Sequence, residues 1–282
     1  MQITIRKEIS AEGVGIHYNK FAKITLKPAS EDVGIVFKRI DITGKNNEIQ
    51  AIYTNIDSIS LSTQLKNKDG VFVATVEHLM SAVSSFNITN LIIEINESEV
   101  PIMDGGSEDF SFLMECAGLK VQHKPAKKFK LLKEIRVGNN ENYIIAKPFE
   151  EQIINFTSNF NSKRIGEQSF SFNPQKDDFV KEISSSKTIA NALEVEMLRK
   201  AGMGLGGSLK NTLVFNENDI LNETCLYNVQ DFVKHKVLDF MGDICLAGGK
   251  IIADFSCYKS GHKLNHMLLN EIFKSTENYQ LI

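Results

Sequence analysis

Apolar side chains recur at helical spacing from Thr75 to Phe86, and Asn90-Leu91-Ile92-Ile93-Glu94-Ile95 then reads as a β-rich strand. A loop over Pro101 to Gly106 follows, and Ser107 to Ala117 reads as a second helix closed by Gly118. The same order returns from Asp231. Asp231 to Ala247 is a predicted helix with a Gly248-Gly249 stop, Lys250 to Phe255 a strand, Tyr258 to Gly261 a loop and His262 to Phe273 a helix. Strand-like runs precede each first helix: Ala22 to Leu26 and Gly34 to Phe37 in one half, Phe129 to Val137 and Ile153 to Phe156 in the other.

This repeated order predicts an α+β fold of two similar domains from an internal duplication, each a layer of helices on a mainly antiparallel sheet. Pro125 and a basic stretch interrupt the pattern between Gln122 and Lys128, which divides the chain into 1–124 and 125–282. Gln168 to Gly207 has no counterpart in the first half. It carries a helix-like stretch, Ile189 to Lys200, and the glycine-rich Gly202 to Gly207. The apolar residues of that helix serve either packing or the lining of an apolar ligand channel, and composition does not choose between them.

A chain of 282 residues is ample for two cores. Its net charge of -3 and the absence of a polybasic arm argue against nucleic acid as a partner. Cys116, Cys225, Cys245 and Cys257 are widely spaced, without Cys-x-x-Cys, which argues against a zinc knuckle, a redox motif and a disulfide framework. Cys116, Cys245 and Cys257 sit among apolar residues and read as small core side chains. The N-terminus lacks a signal-peptide h-region and no apolar run approaches membrane-span length, so a cytosolic protein is expected. A monomer is expected as well.

His235-Lys236-Val237-Leu238-Asp239 places an imidazole and a carboxylate one helical turn apart, on one face. His78, on the matching helix of the first half, is a candidate third ligand. If those helices face each other at the domain interface, two imidazoles and a carboxylate form a set that suits zinc with one position open. Glu77 adjoins His78 and is a candidate general base; it also reads as a solvent-facing helix residue. His262, after Ser260-Gly261, suits general-acid work, or is an exposed histidine at a helix start. Asp243 lies on the Asp239 stripe and could orient a histidine from behind. His17, His123 and His266 are read as non-catalytic. Gly202 to Gly207 lacks the ending of a P-loop, and no Gly-x-Ser-x-Gly elbow is present. Two rival readings stand at this point: the facial triad of a non-haem iron oxygenase, and a binding module with a structural metal.

Six segments in family order resemble the zinc-dependent UDP-3-O-acyl-N-acetylglucosamine deacetylases of lipid A biosynthesis. They are Gly13-Val14-Gly15-Ile16-His17, Thr75-Val76-Glu77-His78-Leu79, Pro101-Ile102-Met103-Asp104-Gly105, Leu205-Gly206-Gly207-Ser208, His235 to Asp239 with Gly242-Asp243, and Tyr258-Lys259-Ser260-Gly261-His262. The resemblance implies His78, His235 and Asp239 as ligands to Zn2+, with Fe2+ as the alternative ion. It implies Glu77 as general base and His262 as general acid oriented by Asp243, with Thr188 stabilising the oxyanion. Lys236 and Lys259 would face the phosphates of an acylated UDP-sugar, and Phe160 would stack near uracil. The insert over 188–207, including Ile189 and Leu205, would form a passage for the fatty acyl chain. The chain departs from the family at Ser186-Lys187-Thr188-Ile189, where Ala-Arg-Thr-Phe is usual, at Asn191, and at Asn159, where an acidic residue is usual. Acyl-chain length or nucleotide contacts are the properties those departures put in doubt.

Overall fold

Strict alternation makes Phe21–Pro28 a strand with one face inward: Ala22, Ile24 and Leu26 are fully buried while Phe21 and Lys23 face solvent. In the computed structural model, which covers residues 1–282, this strand belongs to a five-stranded sheet ordered Ile9–Val14, Phe21–Pro28, Leu91–Ile95, Ile35–Arg39, Glu48–Gln50. A second five-stranded sheet is ordered Ile135–Gly138, Tyr143–Lys147, Asp254–Tyr258, Ile153–Asn159, Glu167–Phe172. The two sheets share one pairing plan. In each, the central strand is antiparallel to the neighbour on one side and parallel to the neighbour on the other, and the remaining pairs are antiparallel.

The helices are α1 (Glu77–Ser85), α2 (Glu108–Ala117), α3 (Phe179–Glu182), α4 (Ala192–Lys200), α5 (Asp231–Cys245) and α6 (His262–Phe273). α1 precedes the central strand of the first sheet and α2 follows it; α5 and α6 stand in the same relation to the second. α1 packs along α5. Leu79, Met80 and Val83 of α1 and Val237, Leu238 and Met241 of α5 belong to one continuous core that draws on both sheets. This is an α+β fold of two similarly built halves, with helices meeting helices between them. No helix is long and apolar enough to cross a membrane.

Several elements differ from their sequence expectation. The predicted strand Lys250 to Phe255 is two strands. Lys250–Ile252 pairs in parallel with Lys128–Leu131, and Asp254–Tyr258 becomes the centre of the second sheet. Ala253 between them is fully buried, so no polar break marks the change of sheet. Phe129 to Val137 divides the same way, into Lys128–Leu131 and Ile135–Gly138. The insert helix starts later than expected. Thr188–Asn191 is a strand parallel to Thr212–Phe215, and Asn191 then caps α4 by accepting the Leu193 N–H at 2.9 Å. Cys116 is exposed, because the inward stripe of α2 is Phe110, Leu113, Met114 and Ala117. A three-stranded sheet over Ile56–Ser58, Gln64–Lys66 and Phe72–Val73 carried no expectation, and Thr63, just before its middle strand, reaches the site.

Candidate active site

His235 and Asp239 are one turn apart on α5, and His78 sits in the first turn of α1 opposite them; all three are buried. His78 Nε2 lies 3.6 Å from Asp239 Oδ1, and His235 Nε2 lies 3.4 Å from the same oxygen. The two imidazoles meet edge to face, with centroids 5.1 Å apart. The donor atoms all lie within 4.8 Å of one another. His235 Nδ1 is 3.0 Å from the Ser186 carbonyl oxygen. A carbonyl only accepts, so Nδ1 carries the proton and the Nε2 lone pair faces the cluster. Lys236 Nζ donates to Asp239 Oδ2 at 3.1 Å, which leaves Oδ1 toward the imidazoles.

The electrostatics favour a cation. Burial drives the His235 imidazole down to about 3, against the pull of Asp239, so it is neutral and able to ligate. Burial would raise Asp239, but His235, Lys236 and His78 hold its carboxyl well below the usual range. Burial also opposes charge on His78, yet the hydrogen bond and charge of Asp239 outweigh it and leave this imidazole raised. Two imidazole nitrogens and a carboxylate oxygen converging in a buried space are a donor set that fits a divalent ion, which would take the place of the His78 proton.

Two further groups flank that cluster. Glu77 is buried, and burial pushes its carboxyl up to about 7 even though His262 and His78 pull it down. Its Oε2 accepts the Thr63 backbone N–H at 3.1 Å, and its Oε1 lies 3.8 Å from His262 Nε2. His262 Nδ1 is 2.7 Å from Asp243 Oδ2. Burial works against a charge on His262, but the charge and hydrogen bond of Asp243 prevail and raise it to about 10. Asp243 is itself saturated: Oδ1 accepts from Thr63 Oγ1 at 2.6 Å and Oδ2 from Asn265 Nδ2 at 2.8 Å. A carboxylate and an imidazolium therefore stand on the same side of the cluster as a fixed acceptor and donor.

Glu77, His78, His235, Lys236, Asp239, Asp243 and His262 thus come together. Thr188 adjoins through the chain: its N–H donates to Gly105 O at 2.7 Å, two residues beyond the Ser186 carbonyl that orients His235. Phe160 and Ile189 lie farther out, packed against a second small core of Ile165, Leu213, Phe215, Ile220 and Phe232. Leu205 is partly exposed on the insert's glycine turn, where its N–H donates to His17 O at 3.1 Å. Lys259 is exposed after the central strand of the second sheet, with Nζ over the Tyr258 ring at 5.3 Å. These contacts do not join Leu205 or Lys259 to the buried cluster. Sequence reasoning missed Thr63, Asn265 and Ser107, whose Oγ donates to the His78 carbonyl at 2.7 Å. Thr63 sits in an ordinary polar run, and nothing local marks it.

Known proteins resemble this chain along its whole length. The UDP-3-O-acyl N-acetylglycosamine deacetylase family matches residues 2–274. A protein of Ruthia magnifica subsp. Calyptogena magnifica named UDP-3-O-acyl-N-acetylglucosamine deacetylase is 39% identical over 282 residues, spanning 99% of this chain and 92% of its own. Proteins of the same name from Pseudomonas entomophila and Campylobacter jejuni (strain RM1221) are 40% and 36% identical, each across 100% of this chain and covering 93% and 94% of the relatives. With matches of that extent, and a buried His-His-Asp cluster flanked by a carboxylate and a carboxylate-held imidazole, the chain belongs to the UDP-3-O-acyl N-acetylglycosamine deacetylase family.

Proposed function

We propose that this chain hydrolyses the N-acetyl group of a UDP-3-O-acyl-N-acetylglucosamine, releasing acetate and the free amine, as a step of lipid A biosynthesis. The observation that carries the reading is the pairing of a buried N/N/O cluster with Glu77 and His262 3.8 Å apart at its edge. Zn2+ is the ion we assign to His78, His235 and Asp239, and Fe2+ satisfies the same donors. Such an ion, when bound, supplies Lewis acidity toward the acetyl carbonyl and makes an adjacent water more acidic.

The remaining work falls to side chains. Glu77, raised to about 7 by burial, accepts the proton of the attacking water near neutral pH. Attack converts the planar amide into a tetrahedral species with charge on the former carbonyl oxygen. Thr188 donates its hydroxyl to that oxygen, and the Lys236 ammonium adds positive charge nearby. His262, kept as imidazolium by Asp243, gives a proton to the nitrogen as the C–N bond breaks, so the amine leaves neutral. Thr63 and Asn265 hold Asp243 in the orientation this requires.

For the substrate's other parts we assign Phe160 to the uracil ring, Lys236 and Lys259 to the phosphates, and Ile189 with Leu205 to the acyl chain. Ile189 lacks the ring usual there, so the acyl wall is thinner in this chain. Acyl burial contributes about 0.8 kcal/mol per CH2, so shortening the chain should sharply reduce kcat/KM. Equal turnover of a substrate lacking it would remove the passage assignment. Four free cysteines support a reducing, cytosolic setting. The reading is tested by acetate release from UDP-3-O-acyl-N-acetylglucosamine by chelated protein, with and without added Zn2+. Activity restored by metal is expected. Folded, metal-loaded protein that releases no acetate would refute it.

A further inference from the structure

Lys187 is the one charged side chain of the 184–188 segment, and it is buried. An ammonium withdrawn from water is costly unless it meets a carboxylate or several acceptors. Its Nζ donates to the Asp104 carbonyl oxygen at 2.8 Å and lies 3.6 Å from Asp104 Oδ2, a buried oxygen with no hydrogen-bond partner. Asp104 is held in turn by its own loop, where Oδ1 accepts the Gly106 N–H at 3.2 Å. The Lys187–Asp104 contact spans the two halves of the chain.

Around that contact the 104–107 loop and the 184–188 segment are laced together. Ser107 N–H donates to Ser184 O at 2.7 Å, and Thr188 N–H donates to Gly105 O at 2.7 Å. The loop is shaped for this approach. Gly105 has φ +94, and a β-carbon on Gly106 would lie 2.5 Å from Ser184 O and 3.0 Å from Ser186 O. Both backbone links use atoms any residue would supply. Lys187 adds a side-chain tie from the segment to the loop, at Asp104.

The residues on either side of Lys187 are the ones that matter to the site. Ser186 O orients His235 at 3.0 Å, and Thr188 carries the hydroxyl assigned to the oxyanion. We propose that Lys187, anchored on Asp104, is a positioning residue that fixes the Ser186 carbonyl behind His235 and the Thr188 hydroxyl beside the reacting carbonyl. This rests on the reading of Thr188 given above. Where the family usually has Arg, this chain does the work with an ammonium, a point charge without a fork. A guanidinium can fill the same role toward a carbonyl and a carboxylate, so Lys187→Arg is the conservative exchange.

The test compares Lys187→Met, Lys187→Arg, Thr188→Ala and Lys187→Met/Thr188→Ala in the full chain. Three quantities are read: Zn2+ affinity by competition with a chelator, kcat and KM at saturating Zn2+, and Tm. Lys187→Met is expected to weaken Zn2+ binding and lower kcat by about 10- to 100-fold, the range for losing a group that orients a ligand, with KM less affected. Lys187→Arg should restore both. In the Thr188→Ala background the kcat loss from Lys187→Met should shrink, because the hydroxyl it positions is gone. A lowered Tm with unchanged Zn2+ affinity and kcat, or kcat losses that simply multiply, would overturn the inference. Should Lys187→Met fail to fold, Asp104→Asn keeps the carbonyl and removes the charge. Losses in the same direction would support the inference, and wild-type values would overturn it. Unchanged kcat in Thr188→Ala would instead sink the oxyanion assignment, and the Zn2+ affinity of Lys187→Met would still report on His235.

Discussion

At Gly242 α5 comes tight against the backbone of α1, and replacing it by Ala should disable the site from a position that touches no reactant. A β-carbon at 242 would lie 2.0 Å from the Glu77 carbonyl oxygen and 2.7 Å from its carbon. Those are backbone atoms, which cannot swing aside as a long side chain would. Relief needs about 1 Å or more of separation between the helices, since nonbonded atoms settle near ~3.5 Å. That separation would carry Glu77 and His78 away from Asp239, to which His78 Nε2 now lies 3.6 Å. Helix propensity favours Ala over Gly by about 1 kcal/mol. Overpacking costs about 1–3 kcal/mol, and here it falls on two buried backbones, so the clash should win. We expect Gly242→Ala to be less stable, to bind Zn2+ more weakly and to lose about 100-fold in kcat, as a misplacement of about 1 Å commonly costs. The assays are thermal unfolding, Zn2+ competition and acetate release at saturating substrate. A variant as stable as the parent, with parental Zn2+ affinity and kcat, would show that the close approach does not set the site's geometry.

Glu77→Gln should retain Zn2+ with near-parental affinity while kcat falls by about 100-fold or more, since the amide cannot accept the proton; turnover near the parental value removes Glu77 from the base role. His262 is raised to about 10, so its pairing with Asp243 adds stability that is fully present below its ordinary 6.5 and is lost as pH rises through 10. Asp243→Asn should therefore destabilise the fold most below about pH 6.5 and progressively less toward pH 10, and should move the alkaline limb of the rate profile downward; a limb unmoved in this variant assigns the acid elsewhere. Removing metal with a chelator should lower Tm, and titrating Zn2+ back should raise it with concentration as a ligand of the native state does. A Tm indifferent to Zn2+ would mean the cluster does not bind it.

The parts of the site that sequence exposed share one property: their geometry is local. His235, Asp239 and Asp243 fall at successive four-residue steps, and a helix converts that spacing into a common face without knowledge of the fold. Glu77 and His78 needed one more assumption, that the repeated element order brings α1 against α5, and the paired sheet orders agree with it. The partners of these groups had no such signal. Thr63 reaches Asp243 across 180 positions, and Lys187 reaches Asp104 across 83. Their side chains are ordinary in composition and meet these partners only where distant strands and loops converge. The strand boundaries fail for a related reason. A buried chain that leaves one sheet for another at Ala253 stays apolar throughout, so hydropathy records a single run.

The division of chemistry between the halves follows from this geometry. In the proposed reading, α1 supplies the base and one imidazole, while α5 and α6 supply the other imidazole, the carboxylate ligand and the acid. Each half alone would expose an incomplete set of ligands and an unpaired buried charge, which is costly. Packing α1 on α5 therefore does two things at once. It buries apolar faces that neither sheet covers alone, and it brings Glu77 Oε1 within 3.8 Å of His262 Nε2. Thr63 ties the two together, with its N–H on Glu77 of the first half and its Oγ1 on Asp243 of the second. Glu77 and the Asp243 that holds His262 are thus tied to one residue, so under the proposed mechanism a shift between the halves would disturb both proton transfers rather than one.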